Sequence, residues 1–577
     1  MRLSMTLTLV GTSRCDVRPG ARHGRRSAPS LPSSRSRFTF SLNSTISAGA
    51  ALGLALLSSA CSSTGTERPI VVSKWEVFER KFTSRAEYTN APQEAEMRVV
   101  FTSPSGESRS VFGFWDGGRD WKVRFAPDEA GHWYYSTSCS DRSNAGLHLQ
   151  EGSFYCMSAS LRTRFDAHGP ITVARDGTHF IHQDSTPFFW LADANWNGPL
   201  RSLPSEWEDY VAERAAQGFT AIQWVATQWP GSPDGDRFGI DAFSGDDKIK
   251  IYPEFFSRLD EKIVAMNRAG LLSVPILLWV GRNGTNTAGG PGFSLQEDQA
   301  ILLARYMVAR WGAYATSWIL AGNGDFLGPK AERWKRIGNA VFGSAPRGPV
   351  TLYPAEKQWL PEDFGAERWL TFVGYQGGPS ASQEDAQWLS TGPLAKDWSR
   401  QPPRPIVNLG TPLTSIPGDP REAPRLARRG LYWSLLGAPI AGFTRDGGIQ
   451  FTSEARRGND HEIPLDSLAH LIELLGSIDF RKLRPAPELL ASQPGLEEPS
   501  RFIAASRTAD GNLAVIYLND ERSVSVRQRL LPPNFTASWF NPRTGEVSSV
   551  VATANDPTVQ FATPTGGDWV LVLKGRP

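Results

Sequence analysis

Between residues 170 and 450 short apolar runs alternate with amphipathic stretches, and this alternation limits the fold more than any other feature of the chain. The runs fall at 188–193, 220–226, 272–279, 317–322, 350–353, 370–375, 405–409 and 439–444. Helical patterns lie between several of them, among these "PSEWEDYVAERAAQG", "FFSRLDEKIVAMNRAG" and "DQAILLARYMVARWGAY". Each ends at or near a Gly or a polar turn, as a helix stop should. Eight strand–helix repeats over about 280 residues predict a (β/α)8 TIM barrel. A doubly wound sheet is the alternative, but no Gly-rich phosphate loop follows the first run.

The flanks have a different rhythm. Short alternating runs with Gly, Pro and Asp turns, such as "EMRVVFTSPSGESRSVFGFWDGG", predict an N-terminal β-sandwich over 69–165. Residues 166–482 hold the barrel, and 483–577 return to β character, predicting a smaller C-terminal β-sandwich. Ahead of all this, residues 1–68 read as a leader and linker. Residues 46–60, "ISAGAALGLALLSSA", suit a signal-peptide core with Arg35 and Arg37 as its basic flank; they are too few to span a bilayer. Small residues then precede Cys61, which predicts an exported protein lipid-anchored to a bacterial cell envelope through Cys61, with secretion or a periplasmic location as the alternative.

Two further cysteines, Cys139 and Cys156, sit in β-like runs. In an exported protein they could form a disulfide across adjacent strands, or stay as two buried thiols. No Cys/His spacing suits zinc, no calcium loop is recognisable and no cofactor motif is visible, so no metal or cofactor is expected. A net charge of +2 leaves no electrostatic footprint for nucleic acid. The 20 Trp and 30 Phe either fill large cores or include faces that stack on sugar rings.

In a TIM barrel, function collects at the C-terminal strand ends. Those ends carry Asp193, Asn195 and Trp196, then Gln223, Trp224 and Gln228, then Trp279 and Arg282. Asn323 and Asp325 follow the fourth run, Tyr353 the fifth, Tyr375 and Gln376 the sixth, and Arg445 and Asp446 the eighth. Amides offer donors and acceptors to vicinal hydroxyls, and Trp offers a stacking face. As a set they suit a polysaccharide or oligosaccharide ligand. Each amide could equally cap a loop.

Residues 170–480 resemble the bacterial apiosidase-like glycoside hydrolases. The likeness rests on "FFWLADANWNG", "GFTAIQWVATQWP", "ILLW", "WILAGNGDF", "FVGYQGG" and "LYWSLLGAPIAGFT", in order along the barrel. "FWDGGRDWKVRFAPDEAGHWYY" resembles the sandwich preceding such barrels, and "WFNPRTGE" the collagen-binding-type domain that follows them. The resemblance implies cleavage of plant or algal polysaccharide by two carboxylates near the ends of strands 4 and 7.

At those positions the chain departs from the family. Asn323 stands at the strand-4 acid, Gly410 at the strand-7 Glu, Thr414 at a second Glu and Pro379 at a His. Asp193 matches a family Asp. Glycoside hydrolysis normally needs a proton-donating acid and a second carboxylate as nucleophile or base. Asn and Gly supply neither. A hydrolase must therefore recruit Asp325 as acid, with Asp193, Asp446, Asp419 or Glu422 as partner. The competing reading is an inactive barrel that keeps a sugar-binding cleft as a surface lipoprotein. A protein-binding adhesin rests only on the name of the last domain.

Overall fold

A computed structural model describes residues 70–281, 289–343, 346–378, 382–412, 422–449, 465–532 and 534–576. Among these, eight strands form one parallel sheet: β1 (Trp190–Asn195), β2 (Ala221–Val225), β3 (Leu272–Trp279), β4 (Trp318–Gly324), β5 (Val350–Pro354), β6 (Val373–Tyr375), β7 (Ile406–Pro412) and β8 (Ile440–Ile449). Their hydrogen-bonded order is β5-β4-β3-β2-β1-β8-β7-β6. At the remaining seam the Thr371 N–H, just ahead of β6, donates to the Val350 carbonyl at 2.9 Å. The sheet is thus a nearly closed eight-stranded parallel barrel, as expected.

The helices between strands begin and end where local chemistry dictates. α1 (Pro204–Ala216) and α2 (Pro253–Arg268) open on Pro, whose missing N–H costs nothing in a first turn. α3 (Glu297–Trp311) and α4 (Ala331–Phe342) follow. α5 (Gln383–Thr391) carries a capping box: Ser382 Oγ accepts from the Asp385 N–H, and the Asp385 carboxylate accepts from the Ser382 N–H. α6 (Ala423–Gly437) and α7 (Leu465–Ser477) complete the set used here.

Two concentric cores result, because successive side chains of a strand point to opposite faces. Trp190, Val225, Val274, Ile276, Ile319, Phe372, Val407 and Leu409 fill the barrel interior. Leu191, Ile222, Trp224, Trp318, Leu352 and Phe443 pack instead against the helix layer, where Met307, Trp311 and Ile337 meet them. The first strand starts at Trp190 and not at 188, because Pro187–Phe188 pairs with Phe180–His182 in a separate antiparallel sheet. The eighth runs past Thr444 to Ile449.

Residues 71–157 form a five-stranded and a three-stranded sheet around Phe78, Phe101, Phe125, Trp133 and Phe154, with Phe101 and Phe125 stacked at 4.1 Å. This region is tied to the barrel by a buried ion network. Asp260 of α2 accepts from Arg310 and Arg124, each at 2.8 Å, and from the Trp311 indole at 2.8 Å. Arg310 also pairs with Asp116 at 2.8 Å. C-terminal to α7, a six-stranded and a three-stranded sheet pack around Ile516, Trp539, Phe561 and Leu571. Asp568 there takes two hydrogen bonds from Arg428 of α6, at 2.7 and 3.0 Å.

The expected disulfide is corrected by strand register. Gly131–Cys139 runs antiparallel to Glu151–Met157, and Cys156 sits opposite Gly131, at the far end from Cys139. Eight residues of strand separate the two cysteines, about 27 Å, against a Cα limit of about 7 Å for a disulfide. Both are buried free thiols, and burial pushes the Cys156 thiol up to about 11. Cys61 and the leader lie outside the described residues, as do Arg282, Pro379, Thr414 and Asp419. No helix among the described residues is long and apolar enough to cross a membrane.

Candidate functional site

Strand parity sorts the candidate rim residues into two groups. On β1, Trp190, Ala192 and Ala194 point into the barrel, and Trp196 continues that face. Asp193 points the other way. It is fully buried, and its Oδ2 accepts from Arg214 Nε at 2.6 Å and from the Tyr210 hydroxyl at 2.7 Å, both on α1. Its Oδ1 accepts from Arg445 at 3.1 Å. Burial, ahead of the Asp193 charge, drives the Tyr210 hydroxyl well above its ordinary value. Asp193 and Arg445 therefore brace β1 to β8 and α1, and neither reaches the mouth.

Trp224 and Tyr375 are corrected in the same way. Trp224 is fully buried against Trp311, ring centroids 5.7 Å apart, and its indole donates to Ser273 Oγ at 3.1 Å. Tyr375 packs against Trp359 and Trp388 in the helix layer, and burial raises its hydroxyl pKa.

What faces inward is a connected cluster. The Trp196 ring lies 5.9 Å from Trp279 and 5.5 Å from Tyr353. Trp229, from the loop after β2, adds a ring 4.7 Å from Trp279. The Trp196 indole donates to Asp446 Oδ1 at 3.1 Å. The Tyr353 hydroxyl donates to Gln376 Oε1 at 3.0 Å, while Gln376 Nε2 donates to the Pro354 carbonyl. Deeper, Gln223 donates to the Leu409 carbonyl at 3.3 Å and accepts from Thr444 Oγ1 at 3.2 Å. Less than a tenth of Trp196, Trp229 and Trp279 is exposed, so little of any of these rings meets solvent. Trp229 and Thr444 were missed in the sequence. Thr444 lies two residues before Asp446, the spacing of one strand face.

The carboxylates proposed for hydrolysis are dispersed. Asp325 caps the turn after β4: Oδ2 pairs with Lys330 at 2.6 Å, and Oδ1 accepts from Gln358 at 2.8 Å and from the Leu327 N–H at 3.3 Å. Donation by Lys330, then the other hydrogen bonds, holds its carboxyl below the usual carboxylate range. A general acid needs the opposite shift. Glu422 is exposed and paired with Arg425 at 2.8 Å. Asp446 alone of Asp193, Asp325, Glu422 and Asp446 lies on the inward face, half-buried.

Asn323 and Gly410, expected from the resemblance at the two carboxylate positions, have their own local geometry. Asn323 is half-buried and adopts φ +55°, a left-handed conformation that Asn tolerates better than most residues. A Cβ at Gly410 would lie 2.6 Å from Gln376 Oε1, so the Gln376 amide occupies the space of any side chain there. No group of three or more His, Cys, Asp or Glu suited to a metal occurs among the described residues.

Comparison with known proteins agrees with this architecture. Residues 174–454 match the family model of the apiosidase-like catalytic domain. Residues 71–140 match a domain of unknown function, DUF5060, and 485–574 a family described as a collagen-binding domain of a collagenase. No curated protein sequence matches. Among solved structures, a glycoside hydrolase is similar with TM-score 0.58 and 17% identity, over 72% of this chain and 98% of that one. A family 5 glycoside hydrolase from Bacteroides vulgatus gives 0.58 and 16%, over 72% and 95%. At these identities the likeness is one of fold. Residues 174–454 are thus similar to the apiosidase-like catalytic domain, on a fold shared with bacterial glycoside hydrolases.

Proposed function

We propose that the barrel binds a plant or algal glycan at its mouth and does not hydrolyse it by the two-carboxylate route. One observation carries this reading: of Asp193, Asp325, Glu422 and Asp446, only Asp446 faces the barrel interior. The other three are engaged with Arg or Lys elsewhere. Hydrolysis with retention or inversion needs two carboxyl groups about 5–5.5 or 6.5–9.5 Å apart across the bond. Asn323 and Gly410 stand where the family places them. The ligand contacts fall to Trp229, Trp279, Trp196, Gln376 and Asp446, whose mixture of rings, amide and carboxylate suits sugar hydroxyls and C–H faces. The protein acts as an exported glycan-binding lipoprotein, anchored through Cys61.

The test is affinity electrophoresis in gels containing pectin, xylan or alginate, together with reducing-end release from the same polymers. Retardation without release, lost in Trp229→Ala, is the expected result. A second reading rests on Asp446, which sits where one carboxylate of a hydrolytic pair could act. Release of reducing ends that disappears in Asp446→Asn would replace binding by hydrolysis. Anchoring is tested by mass spectrometry of the N-terminal peptide from a bacterial membrane fraction, with Cys61→Ser releasing the protein.

A further inference from the structure

A cavity of about 350 Å³ lies on the barrel's flank, outside the ring of strands and away from the mouth. It is enclosed between the N-terminal sheets and helices α3 and α4. Its volume falls at the lower end of the roughly 300–1,000 Å³ of small-ligand pockets. Half-buried Phe112 and Trp115 line it together with buried Trp121 and Tyr306. Glu96, Asp298 and Arg305 add charge to the lining.

Two features make this a built site. The Trp115 ring is fixed, because its indole donates to the Gly118 carbonyl at 2.9 Å, and its own carbonyl accepts from the Tyr306 hydroxyl at 2.9 Å. Arg305 is likewise held, donating to the Ala340 carbonyl at 2.9 and 2.7 Å with Glu96 3.6 Å away.

We propose that this cavity is a secondary glycan-binding site that takes a neutral sugar unit or disaccharide. A sugar presents an apolar C–H face to the Trp115 ring and hydroxyls to Glu96, Asp298 and Arg305. A purely apolar occupant would take water from Glu96, Asp298 and Arg305 without replacing its hydrogen bonds. An anionic sugar would meet two carboxylates against one guanidinium. The ligand class rests on the glycan reading of the mouth, but the site is separate and its test is independent.

The full chain is titrated with cellobiose, xylobiose and mannobiose, following tryptophan fluorescence. Trp115→Ala removes the platform and Ala340→Trp fills the space, while Trp115→Phe keeps a ring. Trp229→Ala perturbs only the mouth. Thermal melts confirm that each variant folds. The expected result is binding of at least one disaccharide that weakens roughly fivefold or more in Trp115→Ala and Ala340→Trp. It persists in Trp115→Phe. Binding that weakens only in Trp229→Ala overturns the flank site and leaves the mouth standing. Failure of all three disaccharides to bind the wild-type chain also overturns it.

Discussion

Replacing Asp193 by Ala separates a structural brace from a catalytic acid. In the fold this carboxylate is fully buried and accepts from Arg214, Tyr210 and Arg445. The side chains of Arg214 and Arg445 are 9% and 1% exposed, so removing the carboxylate takes a shared acceptor from two buried guanidinium groups. Breaking a buried pair by deleting one partner costs about 3–5 kcal/mol. Asp193→Asn keeps an acceptor but loses the charge, and costs less, about 1.5–3 kcal/mol for hydrogen bonds to a charged group. The double variant Asp193→Ala/Arg445→Met removes one of these guanidinium groups, so its loss falls short of the sum of the single losses by about 1–3 kcal/mol. Urea denaturation followed by tryptophan fluorescence reads the wild type, the two Asp193 variants, Arg445→Met and the double variant, with glycan retardation measured alongside. Stability within about 1 kcal/mol of wild type, accompanied by loss of glycan binding or turnover, would refute the brace and return Asp193 to the site.

Further outcomes follow from other parts of the molecule. Asp260→Ala leaves Arg124 and Arg310 without their shared acceptor and is expected to lower stability by about 3–5 kcal/mol in the same denaturation assay. Burial depresses the Lys262 ammonium to about 8 from an ordinary 10.5. Its charging penalty is therefore full below pH 8 and fades as pH rises toward 10.5, because the unfolded chain then binds more protons than the folded one. The melting temperature of Lys262→Met relative to wild type should thus be most favourable near pH 7 and shrink by pH 9.5; a constant difference would contradict the burial. Gly410→Glu collides with the Gln376 amide, so it should cost about 1–3 kcal/mol by overpacking and release no reducing ends from the polymers. Peptide mapping without reductant should find no Cys139–Cys156 cross-link, even in protein exported to an oxidising compartment.

Fold and site were legible in the sequence to different degrees, for physical reasons. The barrel showed because apolar runs and helix stops are local signals, and eight repeats reinforce one another. The ends of its strands showed too, and with them Trp196, Trp279, Gln376 and Asp446. Parity did not. A parallel strand buried on both faces reads as continuously apolar, so alternation gives no hint of which side is inside. In "WLADANW" nothing distinguishes Asp193, which faces α1, from Ala194, which faces the interior. The same ambiguity placed Trp224, Tyr375 and Arg445 at a mouth they do not reach. A single charged residue resolves it only when its partner is known, and the partner here is 21 residues away on a helix. The Cys139–Cys156 pairing failed for a related reason: neighbouring strands were read correctly, but register is a property of the pair and not of either strand.

The Asp260 network and the Arg428–Asp568 pair bear on how this protein can move. Each places guanidinium and carboxylate groups away from water at a junction between the barrel and a flanking sheet layer. Sliding either layer would expose half-satisfied charges during the motion, a penalty of several kcal/mol at each step. Clamshell closure of one layer over the other, a common way for multidomain proteins to grip a long polymer, is thus disfavoured. A glycan chain would meet a fixed surface, and its own flexibility would have to supply the adjustment.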